Sequence, residues 1–140
     1  MHKTLTRTLF VLFSLLVLGG VAATASHAQP ITASLSFDRD RYRRGEVVTA
    51  TVTVRWAYSG QRVPAGMGVD FHNWSDHRPN GSYLTTVYTD GAGQARIRYR
   101  VPTDPREDNV HIAALARNYY WNGYYWEYHE AFAYKRIPIG

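Results

Sequence analysis

Val47-Val48-Thr49-Ala50-Thr51-Val52-Thr53-Val54-Arg55-Trp56 is the stretch whose reading decides the fold. Its apolar side chains recur at every second position, so an extended strand puts Val48, Ala50, Val52, Val54 and Trp56 on one buried face and turns the threonines to water. The density of β-branched residues favours the same conformation. Upstream, Ile31-Thr32-Ala33-Ser34-Leu35-Ser36-Phe37 repeats the alternation, with Ile31, Ala33, Leu35 and Phe37 inward. Downstream, Val69 and Phe71 alternate with Asp70, His72 and Trp74. Ala95, Ile97, Tyr99 and Val101 alternate with Gln94, Arg96, Arg98 and Arg100.

Turn chemistry separates these runs. Asp38 to Arg44 is a charged turn, Ser59-Gly60 and Pro64-Ala65-Gly66 punctuate a loop, and Asp90-Gly91-Ala92-Gly93 returns the chain after a strand from Tyr83 to Tyr88. Trp74 to Ser82 is polar and contains Pro79 and Asn80-Gly81, which predicts a loop. Pro102 and Pro105 close the strand before them, because proline cannot donate to a ladder. No window carries a helical period. The pattern predicts an all-β chain folded as an antiparallel two-sheet immunoglobulin-like β-sandwich, with Phe37, Val48, Val52, Val54, Val69, Phe71, Ile97 and Ile112 in its core.

Residues 1–28 have the layout of a secretory signal peptide, with Lys3 and Arg7, an apolar run from Leu9 to Leu18, and Ser26-His27-Ala28 as the cleavage site. The run stops at Gly19-Gly20, short of the roughly 20 residues that span a bilayer. This leaves 29–140 as a single domain, secreted or periplasmic. The chain has no cysteine, so disulfides, thiolate metal sites and a lipid-modified cysteine are excluded. Its formal charge of +5 includes Lys3 and Arg7, and falls to +3 without them.

The run Asp40-Arg41-Tyr42-Arg43-Arg44-Gly45-Glu46-Val47-Val48 followed by Val52 and Val54, with Thr89-Asp90-Gly91-Ala92-Gly93-Gln94-Ala95 leading to Val101-Pro102, resembles the bacterial immunoglobulin-like domains of invasin/intimin-type adhesins. It is also similar to macroglobulin-type sandwich domains. The resemblance covers roughly Leu35 to Ala116 and implies a sandwich of the kind used as a tandem spacer in adhesins. Here there is a single copy, and it ends in a segment outside the resemblance.

That segment is Tyr119-Tyr120-Trp121-Asn122-Gly123-Tyr124-Tyr125-Trp126-Glu127-Tyr128, with seven aromatic residues of ten. Asn-Gly between aromatic triplets predicts a protruding C-terminal hairpin with a two-residue type I′ turn. Trp121 then faces Tyr124, Tyr120 faces Tyr125, Tyr119 faces Trp126, Arg117 faces Tyr128 and Ala113 faces Phe132. Tyr119, Trp121, Tyr124, Trp126 and Tyr128 share one face and are the candidate ligand-binding residues, while Tyr120 and Tyr125 brace the ribbon. Half-exposed, these rings make a patch of roughly 600 Å², at the upper end for a monomer. The expected function is a non-enzymatic binding or adhesion module that meets a protein partner through this hairpin. The alternatives are a carbohydrate-binding module, with Asn118, Glu127, His129 or Asp70 bonding sugar hydroxyls, and a structural spacer or assembly subunit.

Catalytic chemistry is not expected. Asp70, His72, Ser75, Asp76 and His77 contain the groups of a hydrolytic triad, but no strand-turn-helix elbow presents the serine. No cofactor or metal site is expected either. Among His72, Asp76, His77, His111 and His129, the register puts His111 and His129 on opposite faces of the final hairpin, and only His72 and His111 approach across strands. Arg96, Arg98 and Arg100 form a basic row suited to weak contact with a polyanion. Nucleic acid is not an expected partner, since acids interleave the other basic cluster, Arg39 to Arg44.

Overall fold

The computed structural model describes residues 29–75 and 78–140. Residues 1–28, expected to be a signal peptide, and Asp76 and His77 lie outside the described residues. The strands are β1 (Ile31–Phe37), β2 (Val47–Trp56), β3 (Gly68–Ser75), β4 (Arg78–Tyr88), β5 (Gln94–Arg100), β6 (Asn109–Trp121) and β7 (Trp126–Pro138). They form a three-stranded sheet in the order β1-β2-β5 and a four-stranded sheet in the order β4-β3-β6-β7. Every neighbouring pair is antiparallel. The immunoglobulin-like two-sheet sandwich expected from the alternation is the observed fold.

The inner faces carry the apolar rows. Val48, Ala50, Val52 and Val54 of β2 are fully buried, as are Val69 and Phe71 of β3 and Ile112, Ala114 and Ala116 of β6. Tyr42 is also fully buried, although its surroundings read as a charged turn. Its hydroxyl donates to Asp38 Oδ1 at 2.5 Å and accepts from the Arg39 amide at 2.9 Å. A buried phenol is tolerable because its polar end is satisfied.

Two local expectations are corrected. Within the segment from Trp74 to Ser82, β3 runs on to Ser75 and β4 starts at Arg78, with Ser75 opposite Arg78 and irregular register between Phe71 and His72 and between Asn73 and Ser75. Pro79 and Asn80-Gly81, which predict a loop, are therefore part of β4. The indole of Trp74 lies directly over Gly81, whose φ is +68°.

In the aromatic hairpin Trp121 pairs with Trp126, Tyr119 with Tyr128, Arg117 with Glu130 and Ala113 with Tyr134. The register is therefore two residues away from the type I′ prediction. The reason lies in Asn122. Among the described residues only glycines have positive φ, so Asn122 does not adopt the left-handed conformation that type I′ demands. It instead uses its side chain, with Oδ1 accepting from the amides of Tyr124 and Tyr125 at 2.9 and 3.0 Å. Gly123 takes the positive φ, at +104°. Because the slip is even, the strand residues keep their expected faces; Tyr124 and Tyr125 move into the connecting loop.

Candidate functional site

The outer face of the four-stranded sheet is unlike a solvated surface. Across it run Tyr83, His72, Ala113 and Tyr134, then Thr86, Asp70, Leu115 and Phe132, then Tyr88, Gly68, Arg117 and Glu130. Ala113 is 1% exposed although it points away from the sandwich core. Aromatic rings cluster beside it. Trp74 packs 6.0 Å from Phe132 and 5.8 Å from Tyr134, while Tyr134 hydrogen-bonds to His111 Nδ1 at 2.6 Å.

Beyond this cluster the face opens into a cleft of about 370 Å³, lined by Gly66, Met67, Gly68, Thr86, Tyr88, Arg117, Asn118 and Tyr119. Its origin is the sequence Gly66-Met67-Gly68. Met67 is buried; Gly66 lies in the turn before β3 with φ +99°, and Gly68 opens the strand on its outer face without a side chain. Gly68 has Tyr88 across on β4 and Arg117 across on β6. The exposed Tyr88 and Tyr119 rings form walls on opposite sides of this trough. The backbone does not require glycine at 68, whose φ is not in the left-handed region. A Cβ there would meet the nearest Tyr88 ring atom at an ordinary 3.7 Å. What glycine supplies is room.

Polar groups close one end. Arg117 leans across the gap to form an ion pair with Asp70, which is only 7% exposed. Thr86 Oγ1 donates to the other carboxylate oxygen at 2.6 Å, and the Tyr83 hydroxyl, 2.7 Å from Thr86 Oγ1, completes the chain as donor. Burial pushes the Asp70 carboxyl up. The Thr86 and Arg117 hydrogen bonds and the Arg117 charge outweigh it, so its pKa lies below the usual value. The hydrogen bond to Asp70 in turn raises the pKa of Arg117. A guanidinium has five N–H donors. With Asp70 fixing its orientation, Arg117 presents a planar donor group at the cleft.

The expected site residues fall into two groups. Tyr119, Trp121, Trp126 and Tyr128 lie on one face as expected, with Tyr119 and Tyr128 ring centroids 4.7 Å apart and Trp121 and Trp126 at 5.8 Å. Tyr124 belongs to the connecting loop and is 89% exposed. Only Tyr119 borders the cleft. The cleft residues Gly68, Tyr88 and Arg117 were not among the expected site residues, and an outward glycine two positions before an outward Asp70 was the available signal.

His72 faces Ala113 while His111 faces Trp74, so the two histidines are offset along the strands. His129 is on the other face of the hairpin, stacked on Tyr120. Among the described residues no group of three or more His, Cys, Asp or Glu is placed to hold a metal ion. Of the arginine row, Arg96 bonds Gln94 and pairs with Asp90, and Arg100 donates to the carbonyl of Gly45.

Fold and face together define a three-plus-four sandwich with a clefted outer sheet. Among solved structures it is similar to superoxide reductase (neelaredoxin) from Ignicoccus hospitalis. One form has a TM-score of 0.52 at 13% identity, covering 83% of this chain and 86% of that one. A second has 0.51 at 12%, covering 82% and 85%. Spo0M, the sporulation control protein from Bacillus subtilis, is looser, with a TM-score of 0.38 at 15% identity, covering 79% and 49%. No protein-family model and no curated protein sequence matches the chain.

These likenesses correct the expected kinship with invasin/intimin-type domains. The motifs behind that expectation were turns and strand rows, which sandwiches of many kinds share. The expected adhesion module, with its carbohydrate-binding and spacer alternatives, finds no support among these neighbours, whose matches at 11–13% identity are superoxide reductases. At such identities the likeness establishes architecture and brings no reaction with it. A thiolate-bound redox metal does not fit this chain, which has no cysteine.

Proposed function

We propose that the protein binds a small, flat, aromatic-sized ligand carrying a carboxylate or carbonyl acceptor, held in the cleft over Gly66 and Gly68. The observation that carries this reading is the coincidence of a side-chain-free outer position at Gly68, two exposed tyrosines lining the cleft and a guanidinium held in place by a buried carboxylate. A cleft of about 370 Å³ is within the ordinary range for small-molecule sites. Tyr88 and Tyr119 offer ring faces. Arg117 offers paired donors, and because Asp70 already neutralises it, the site favours directional hydrogen bonding over bulk attraction of anions.

Titration with benzoate, followed by ligand-observed NMR, tests the reading. Benzoate should bind the wild type and bind more weakly to Arg117→Gln. Gly68→Val, which fills the trough, should abolish binding while the protein stays folded. Equal benzoate binding by wild type and Gly68→Val would place the ligand elsewhere and end the proposal.

A further inference from the structure

On the opposite face of the hairpin the apolar pairs Ala114 with Ala133 and Ala116 with Ala131 give way to polar groups where β6 and β7 run on. Asn118 faces His129, and Tyr120 faces Glu127. Glu127 and His129 are two residues apart on one strand, so both point the same way as Tyr120. The Tyr120 hydroxyl donates to Glu127 Oε2 and lies 3.2 Å from His129 Nε2, and Glu127 Oε2 is 3.9 Å from the same nitrogen. One phenol oxygen, one carboxylate oxygen and one imidazole nitrogen converge on a common point.

We propose that Tyr120, Glu127 and His129 form a binding site for a divalent ion of the zinc or copper class. A tetrahedral ion with bonds of about 2.0–2.1 Å keeps its ligand atoms about 3.3–3.4 Å apart. The two distances to His129 Nε2 bracket that spacing, so only the contact between Tyr120 and Glu127 has to open. Imidazole with oxygen donors suits zinc and copper better than calcium or magnesium.

The carboxylate is already oriented for the task. Asn122 Nδ2 donates to Glu127 Oε1 at 2.9 Å, leaving Oε2 directed at Tyr120 and His129. Such outer support is what fixes ligands in metal sites. The Glu127 and His129 side chains are each 30% exposed, which leaves a path for the ion and a position for water as fourth ligand. Binding through phenolate breaks the O–H bond, forms a metal–oxygen bond and releases the proton to buffer.

The test uses the full chain and the metal salts alone. Isothermal titration with ZnCl2 and CuCl2 should give a site with copper tighter than zinc. Cu2+ should quench Trp121 and Trp126, which sit on the same hairpin, and give a visible tyrosinate charge-transfer band that Tyr120→Phe abolishes. His129→Ala or Glu127→Gln should weaken binding by at least ~100-fold, and Asn122→Ala by about 10-fold, the scale of outer-ligand losses. His72→Ala should leave it unchanged. Absence of wild-type binding, or full affinity in the Glu127→Gln, His129→Ala double variant, would overturn the assignment.

Discussion

Replacing Gly68 with alanine should raise stability by about 0.5–1 kcal/mol, because a strand glycine sacrifices backbone order and this position accepts a Cβ without strain. Urea unfolding of the Gly68→Ala variant reads the change directly. A gain in stability that accompanies a loss of benzoate affinity would identify the glycine as a functional cost carried by the strand. The neighbouring ion pair behaves in the opposite sense. Removing Arg117 leaves Asp70 buried with one partner fewer, and Arg117→Ala should destabilise by about 2 kcal/mol, reduced from the cost at fully buried pairs because the arginine is part-exposed. Since the Asp70 pKa is depressed, its contribution is complete above the ordinary carboxylate range and is lost as pH falls through the folded value. The wild type should therefore lose melting temperature on acidification more steeply than Arg117→Ala.

At the level of elements, the hairpin shows how far a sequence can be read. Its existence and its two faces were legible from Asn122-Gly123 and strict alternation, but its register was not. Alternation constrains register only to even steps, and the choice between backbone and side-chain solutions at Asn122 depends on hydrogen bonds that no period reveals. Asn122→Ala should remove the cap on Tyr124 and Tyr125 and cost about 1 kcal/mol, seen by thermal melting with greater mobility of the loop in NMR relaxation. The β3 and β4 extension was hidden for a related reason. Proline and Asn-Gly mark loops on average, whereas here β4 contains both, in a pairing with β3 that is irregular. Gly68 was unreadable as part of a cleft because only its pairing with Tyr88 and Arg117 gives its empty position a meaning, whereas Gly66 lies in a turn as its place in Pro64-Ala65-Gly66 predicts.

For the molecule as a whole, the inner rows were the most legible part, since an alternating strand with one buried face has few other solutions. Val52 is fully buried between the sheets. Val52→Asp should abolish cooperative folding by placing an unpaired carboxylate there, which circular dichroism and the loss of a melting transition would register. The cover on the outside of the four-stranded sheet has a consequence in another currency. β6 is paired on both edges, lies over the core on one side, and has Ala113 buried beside the cluster of Trp74, Phe132 and Tyr134 on the other. Its central amides are shut off from solvent in every direction, so partial opening of an edge strand does not release them. In deuterated water they should exchange last, at a rate set by unfolding of the entire domain.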